Sequence, residues 1–172
     1  MPDTGTITDP QEARSTLAEK TEDVRFAMFS TVGARGELHS RPMATHEADE
    51  DGTLWFFTYA DSQKVRDITA NPQVGLGYAD PGKNLWVSVS GSAELVRDQA
   101  KVEQLWSAPL KVFFPDGPQT PGIVLLRVTP ADAEIWDGPS SVAGRAVAFA
   151  RTLASNSSTP PGDDVTLDLS GR

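Results

Sequence analysis

The stretch Thr53-Leu54-Trp55-Phe56-Phe57-Thr58-Tyr59-Ala60-Asp61-Ser62-Gln63-Lys64 decides how the chain is read. Its first seven residues are aromatic or β-branched apart from Leu54, which makes a strand too apolar to be exposed on both faces. The strand ends at Thr58–Tyr59, a short turn follows, and Ser62 stands where a helix begins. Unsatisfied N–H groups and the positive end of the helix dipole favour an anion at such a point. The Ser62 hydroxyl adds a donor and Lys64 a full charge within the first turn. A lysine there has the wrong sign for the dipole, which argues for a compensating anion. Taken singly, Lys64 reads as a solvated surface lysine, Ser62 as an ordinary cap and the strand as buried core. The combination points to a phosphate-sized ligand.

Upstream, Val24–Val32 (VRFAMFSTV) is a second β-rich run, and Gly33-Ala34-Arg35-Gly36 turns it into Glu37–Thr45, an antiparallel hairpin. Pro42 cannot donate to a ladder, so that strand sits at an edge or bulges, leaving backbone groups over for a ligand. Arg41 beside it can supply a forked contact to the same anion. Asp9-Pro10-Gln11-Glu12 starts a helix ending near Asp23, with Asp9 as cap, Pro10 at the first helical position and Glu12 as capping-box acid. Residues 1–8 read as a flexible lead.

Downstream, Ser62–Ala70 is a short helix stopped by Asn71-Pro72. Gln73–Ala79 alternates, with Val74, Leu76 and Tyr78 on one face, and Leu85–Val96 does the same with Leu85, Val87 and Val89. Asp98–Trp106 fits another short helix. Ser107–Gly122 is a loop anchored by Val112-Phe113-Phe114. Ile123–Val128 is a sixth strand, resumed at Ala133–Trp136, and Val142–Leu153 has helical spacing. Residues 155–172 read as a disordered tail, leaving 9–154 as the folded domain. Hairpin-like succession without regular crossovers makes this a mainly β (α+β) protein, an antiparallel barrel or sandwich with short flanking helices, and disfavours a Rossmann sheet.

Composition narrows the function. The 172 residues fit one domain. A net charge of −9 repels a phosphate backbone, so nucleic acid is a poor partner. The chain has no Cys, which removes disulfides, thiolate nucleophiles and zinc ribbons. No run reaches the roughly 18 apolar residues of a membrane span, and the polar start lacks a signal sequence, so a soluble cytoplasmic protein is expected. Gly75-Leu76-Gly77 lacks the third glycine of a dinucleotide fingerprint, and Ser88-Val89-Ser90-Gly91-Ser92 is not a nucleophile elbow. His39 and His46 with Glu47, Asp49 and Asp51 match no metal-ligand spacing, so no metal is expected. No paired-carboxylate signal stands out among the acids.

In order and spacing, Arg41-Pro42-Met43, Phe56-Phe57-Thr58, Ser62-x-Lys64 and Asn71-Pro72 resemble the flavin-binding split-barrel proteins related to pyridoxamine 5′-phosphate oxidase. Ser40-Arg41-Pro42-Met43, Trp55-Phe56-Phe57-Thr58, Phe114-Pro115-Asp116-Gly117 and Ala133-Glu134-Ile135-Trp136 are similar to elements of the general stress protein branch. The resemblance covers about residues 10–137 and implies a six-stranded antiparallel split β-barrel, a homodimer with flavin mononucleotide (FMN) in two interface clefts. Position by position, it implies Arg41, Ser62 and Lys64 on the phosphate. The Pro42-Met43 backbone and Phe57-Thr58 would then lie against the isoalloxazine, with Trp136 closing the ring site from the partner subunit. The chain departs from the oxidase at Gln63, where a basic residue is usual, at His46 in place of a lysine, and in its tail, which lacks the vitamin-gripping residues. Vitamin oxidation is therefore not expected.

The expected function is a flavin-dependent oxidoreductase of small substrates, since a flavin supplies the redox chemistry and no acid–base dyad is visible. Two alternatives stay open: a flavin-binding stress or redox-sensing protein without turnover, and the same barrel holding FAD or the deazaflavin F420. Four Trp and seven Phe give more aromatic surface than one short-stranded core hides, which favours a dimer.

Overall fold

The computed structural model describes residues 5–22, 24–46, 52–138 and 163–169. Strand β1 (Gly5–Ile7) leads into helix α1 (Pro10–Glu22). The cap forms as the residue types require: Asp9 Oδ1 accepts the Gln11 and Glu12 N–H groups at 3.0 and 2.9 Å. The thin apolar stripe of α1, Ala13 and Leu17, is buried.

Strands β2 (Phe26–Val32) and β3 (Leu38–Ala44) form the expected hairpin, in register from Val32↔Leu38 to Phe26↔Ala44. The Thr45 N–H donates to Arg25 O and the Gly33 N–H to Glu37 O, which fixes the alternation of the ladder. Residues 39, 41 and 43 bond to β2, whereas 40, 42 and 44 turn their backbone groups outward. Pro42 thus falls where a missing N–H costs the ladder nothing. Among the described residues β3 pairs only with β2 and is the terminal strand of the sheet.

Then come β4 (Leu54–Tyr59), α2 (Gln63–Ala70), β5 (Gln73–Asp80), β6 (Leu85–Val96), α3 (Gln99–Leu105), two 3₁₀ turns (Ala108–Val112 and Gly117–Gln119), β7 (Ile123–Asp137) and β8 (Asp163–Asp168). The sheet runs β1-β8-β7-β6-β5-β2-β3, with β4 paired to β7. Strands β2 to β7 therefore follow one another round a ring, β4-β7-β6-β5-β2-β3. Among the described residues a single bridge, His46↔Trp55, joins the chain just beyond β3 to β4. No other pairing among them crosses that seam, so the barrel is split.

The two segments expected around residues 123–136 are one strand of 15 residues. It bends at a bulge, where the register with β6 slips between Ser90 and Gly91 and skips Ala131. A Cβ on Gly91 would lie 2.4 Å from the Thr129 carbonyl oxygen, so the close approach admits only glycine.

The sheet extends beyond the expected limits at both ends. The lead contributes β1 and the tail contributes β8, which pairs antiparallel with the second half of β7, while β1 pairs parallel with β8. In the tail, Val165 and Leu167 alternate with Thr166 and Asp168, and Leu167 and Leu169 are buried; this period-2 signal is masked in composition by the surrounding Ser, Pro and Asp. The helix expected over 142–153 lies outside the described residues.

The strand β4 separates two cores. Leu54 and Phe56 face the barrel interior with Phe29, Val87, Val89 and Leu126. Trp55 and Phe57 face outward, against Val102, Leu110 and Phe114. Of the loop anchors expected from sequence only Phe114 is buried; Val112 and Phe113 are 80% and 59% exposed, because Leu110 of the 3₁₀ turn fills the remaining place.

Candidate functional site

The site grows from the open part of the β3–β4 seam. On β3, His39, Arg41 and Met43 share the inward face with their β2 partners Thr31, Phe29 and Ala27. Met43 reaches the core, and the next two inward residues lie progressively nearer solvent, with side-chain exposures of 23% for Arg41 and 36% for His39. Across the seam, Thr58 continues the inward line of Leu54 and Phe56. Helix α2 packs Val65 and Ile68 into the core and carries Asp67 beneath the seam, its side chain 2% exposed.

Ser62 starts α2 through its carbonyl, which accepts the Val65 and Arg66 N–H groups, but its side chain makes no capping bond. Its Oγ lies 3.2 Å from Thr58 Oγ1, which also accepts a hydrogen bond from Lys64 Nζ at 3.1 Å. Arg41 Nη1 donates to Thr31 Oγ1 at 2.8 Å and more weakly to the Phe29 carbonyl at 3.4 Å. Burial lowers the pKa of Lys64, and the nearby Arg41 charge lowers it further. Burial also lowers that of Arg41, partly offset by Asp67. Two cations are thus held in mutual electrostatic reach on partly dehydrated ground, next to helix N–H groups without a side-chain cap. The residue set suits an anion with several oxygens.

Asp67 is the acceptor hub behind these cations. Its Oδ2 receives Thr31 Oγ1 at 2.7 Å and His39 Nδ1 at 3.0 Å, and lies 3.9 Å from Arg41 Nη2; its Oδ1 receives Gln63 Nε2 at 2.8 Å. Burial would raise its pKa, but the hydrogen bonds from His39, Thr31 and Gln63 and the His39 charge outweigh this and hold it at about 2.

The structure brings together Arg41, Thr58, Ser62 and Lys64 and sets the Pro42 backbone on the seam's edge. Met43 and Phe57 direct their side chains elsewhere, Met43 into the barrel and Phe57 into the outer cluster, where it meets His46, Trp106 and Phe114 at ring-centroid distances of 4.7, 6.1 and 6.1 Å. Phe57, like Trp55 at the His46 bridge, turns its backbone polar groups toward the seam, whereas those of Met43 bond to β2. Trp136 stands apart, on β7 opposite Trp86, 39% exposed.

Thr31 and Asp67 are the residues that sequence reasoning missed. Each is a polar residue at an apolar position of its pattern: Thr31 follows Ala27 and Phe29 at period 2, and Asp67 lies between Val65 and Ile68 on the buried face of α2. That anomaly was the available signal. His39, weighed in sequence as a metal ligand, is bound instead to Asp67. Among the described residues no group of three or more His, Cys, Asp or Glu gathers for a metal, and Glu47, Asp49 and Asp51 lie outside them. Nor is any described helix long and apolar enough to cross a membrane.

A separate open cleft of about 1010 Å³ lies beyond the bridged end of the seam, lined by Thr21, Phe26, His46, Trp106, Leu110 and Phe113 among others. It contains neither Arg41 nor Lys64.

Comparison with known proteins agrees with this architecture. Residues 12–159 match the family model described as pyridoxamine 5′-phosphate oxidase like. The chain belongs to the pyridoxamine 5′-phosphate oxidase-like family. Within and around that family, Neurospora crassa protein bli-3 is 28% identical over 131 residues, 70% of this chain and 63% of bli-3. The chain thus spans less than two thirds of that curated relative. A general stress FMN/FAD binding protein from Xanthomonas citri superposes with a TM-score of 0.65 at 28% identity, covering 76% of this chain and 92% of its own. A chain from Jannaschia sp. CCS1, provisionally assigned as general stress protein 26, superposes with a TM-score of 0.71 at 24% identity, covering 91% and 98% respectively. The fold is that of the split-barrel general stress proteins in this family.

Proposed function

We propose that the protein is a flavoprotein of the general stress type that holds FMN along the open β3–β4 seam and serves as an oxidoreductase of a small substrate. The observation that carries the reading is the convergence of Arg41 and Lys64, two partly dehydrated cations beside the uncapped start of α2. Arg41, Ser62 and Lys64 would hold the phosphate, and Thr58 would orient Lys64 through the hydrogen bond it already accepts. The outward backbones of Pro42 and Phe57 would line the ring. When bound, the flavin supplies the hydride or electron transfer. The chain's own task is to bind, orient and exclude water.

The same reading includes a homodimer. On the outward face one cross-strand row runs Met28, Gly77, Ser88, Glu134, and the row beside it runs Ala79, Trp86, Trp136. Met28, Trp86 and Trp136 are 48%, 41% and 39% exposed, with Gly77, Ala79 and Ser88 between them and Glu134 at the rim, a face that a second copy can cover. Trp136 would then complete a ring site across the interface.

The test is direct. The freshly purified protein should carry a flavin visible spectrum, released intact on denaturation, and titration of flavin-free protein should favour FMN over riboflavin, which lacks the phosphate. Equal affinity for both would remove the phosphate role of Arg41 and Lys64. Uptake of F420 but not of flavin would reassign the ring. Bleaching by NADH or NADPH with repeated reoxidation by an acceptor separates an oxidoreductase from a binding protein, and sedimentation at micromolar concentration tests the dimer.

A further inference from the structure

We propose that Asp67 and Thr31 form a hydrogen-bond relay that sets the guanidinium of Arg41 for the anion, so that both are positioning residues of the seam site. The inference rests on the phosphate reading above and concerns what makes that site ready before a ligand arrives.

Donor and acceptor chemistry fixes the direction of each bond. An ionised carboxylate only accepts, and Asp67 stays ionised at neutral pH. The single hydroxyl proton of Thr31 must therefore point at Asp67 Oδ2, 2.7 Å away. That leaves the Thr31 lone pairs to accept from Arg41 Nη1 at 2.8 Å, and they do. Thr31 is fully buried, so no water competes for its hydroxyl. Asp67 is fixed in turn from both sides. His39 Nδ1 donates to Oδ2 and Gln63 Nε2 to Oδ1, and the Gln63 amide cannot reverse because its Oε1 accepts from Arg66 Nη2 at 2.8 Å and Nε at 3.3 Å.

The direct distance from Arg41 Nη2 to Asp67 Oδ2, 3.9 Å, decides what the carboxylate does. It is too long for a hydrogen bond and leaves the fork uncaptured. Asp67 thus orients Arg41 through Thr31 while the remaining guanidinium N–H groups stay available. Held in this way, the fork loses less rotamer freedom when it meets phosphate oxygens.

The experiment measures FMN and riboflavin dissociation constants by flavin fluorescence on the full chain. Thr31→Val keeps the shape and deletes the hydroxyl. It should weaken FMN about tenfold, the loss of one charge-assisted contact, and leave riboflavin unchanged. Thr31→Ser, which keeps the hydroxyl, should restore FMN binding. In an Arg41→Ala background Thr31→Val should cost nothing further, because the relay acts only through Arg41. Asp67→Asn, which puts a donor where an acceptor is required, should act in the same direction.

A readout independent of flavin uses ¹⁵N NMR of the ligand-free protein. Rotation of the Arg41 guanidinium should be restricted in the parent chain and freed by Thr31→Val. A freely rotating Arg41 in the parent overturns the relay, as does an additive effect of the two substitutions. If Arg41→Ala leaves FMN binding intact, the phosphate reading fails instead, while the NMR result still judges the relay.

Discussion

The two ends of the β3–β4 seam are built from opposite materials. At one end the His46 N–H donates to the Trp55 carbonyl at 3.0 Å, His46 packs edge-on against Phe57, and Thr45 meets the buried Tyr78. Continuing that antiparallel register would set Met43 against Thr58. Pairing stops before this, because Arg41 points inward with its charge only partly compensated and Lys64 approaches from below. An inward charge on an edge strand blocks its closure, a device more often used against aggregation. Here the same device leaves a polar gap in an otherwise apolar barrel. Packing closes one end of the seam and like charge holds the other open.

The largest effect should come from removing what both ends share. Phe56 has no exposed surface and packs edge-on against Phe29 at a centroid distance of 5.0 Å. Phe56→Ala should cost about 3–5 kcal/mol in urea unfolding, by lost burial and the cavity left behind. A loss under about 1 kcal/mol would mean that the interior core does not hold the two sides of the seam together.

Second in size is the charged end. Arg41→Ala combined with Lys64→Ala should weaken FMN about 100-fold or more, roughly 2.7 kcal/mol, with riboflavin little changed. Folding stability should hold or rise, since burial disfavours both charges and Arg41 further disfavours that of Lys64. A large loss of stability in that double variant would show that the cations serve the fold rather than a ligand.

Much of this was legible in the sequence, for identifiable reasons. β-Branched and aromatic content exposed β2, the Gly33–Gly36 turn exposed β3, period-2 alternation exposed β5 and β6, and Pro42 announced the edge. Ser62 and Lys64 advertised the anion site because a lysine in the first turn contradicts the helix dipole. Three things were hidden. The unity of β7 was hidden because its bulge places Thr129-Pro130-Ala131 in the middle of the strand, where a proline reads as a break. β8 was hidden because Val165 and Leu167 sit in a segment whose composition argues against structure. The relay was hidden because Thr31 and Asp67 are distant in sequence, and only the packing of α2 under β2 and β3 brings them within 2.7 Å.

Third in size is an acid effect at the open end. The Asp67 carboxyl titrates at about 2, below its ordinary 3.8, so the folded state binds its proton less readily than the unfolded chain. Its contribution to stability is present above about pH 4 and is lost as the pH falls toward 2. Asp67→Asn should flatten the stability profile in that window. An unchanged acid limb would mean that the His39, Thr31 and Gln63 hydrogen bonds do not hold the carboxylate in solution.

The smallest effect belongs to the bridged end and has the opposite pH sign. Tyr78 is 2% exposed, and burial raises its phenol to about 12, with the Thr45 hydrogen bond pulling the other way. A raised acid favours the protonated fold, so its contribution is complete below about pH 10 and fades as the pH rises toward 12. Tyr78→Phe keeps the ring and removes one neutral hydrogen bond of 3.0 Å, a loss of about 1 kcal/mol in urea unfolding, and it should remove the alkaline slope. FMN affinity should not move, because the Tyr78 hydroxyl bonds Thr45 at the closed end. If the substitution weakens FMN as much as it weakens the fold, the two ends are mechanically coupled, and the barrel acts as one clamp instead of a closed half and an open half.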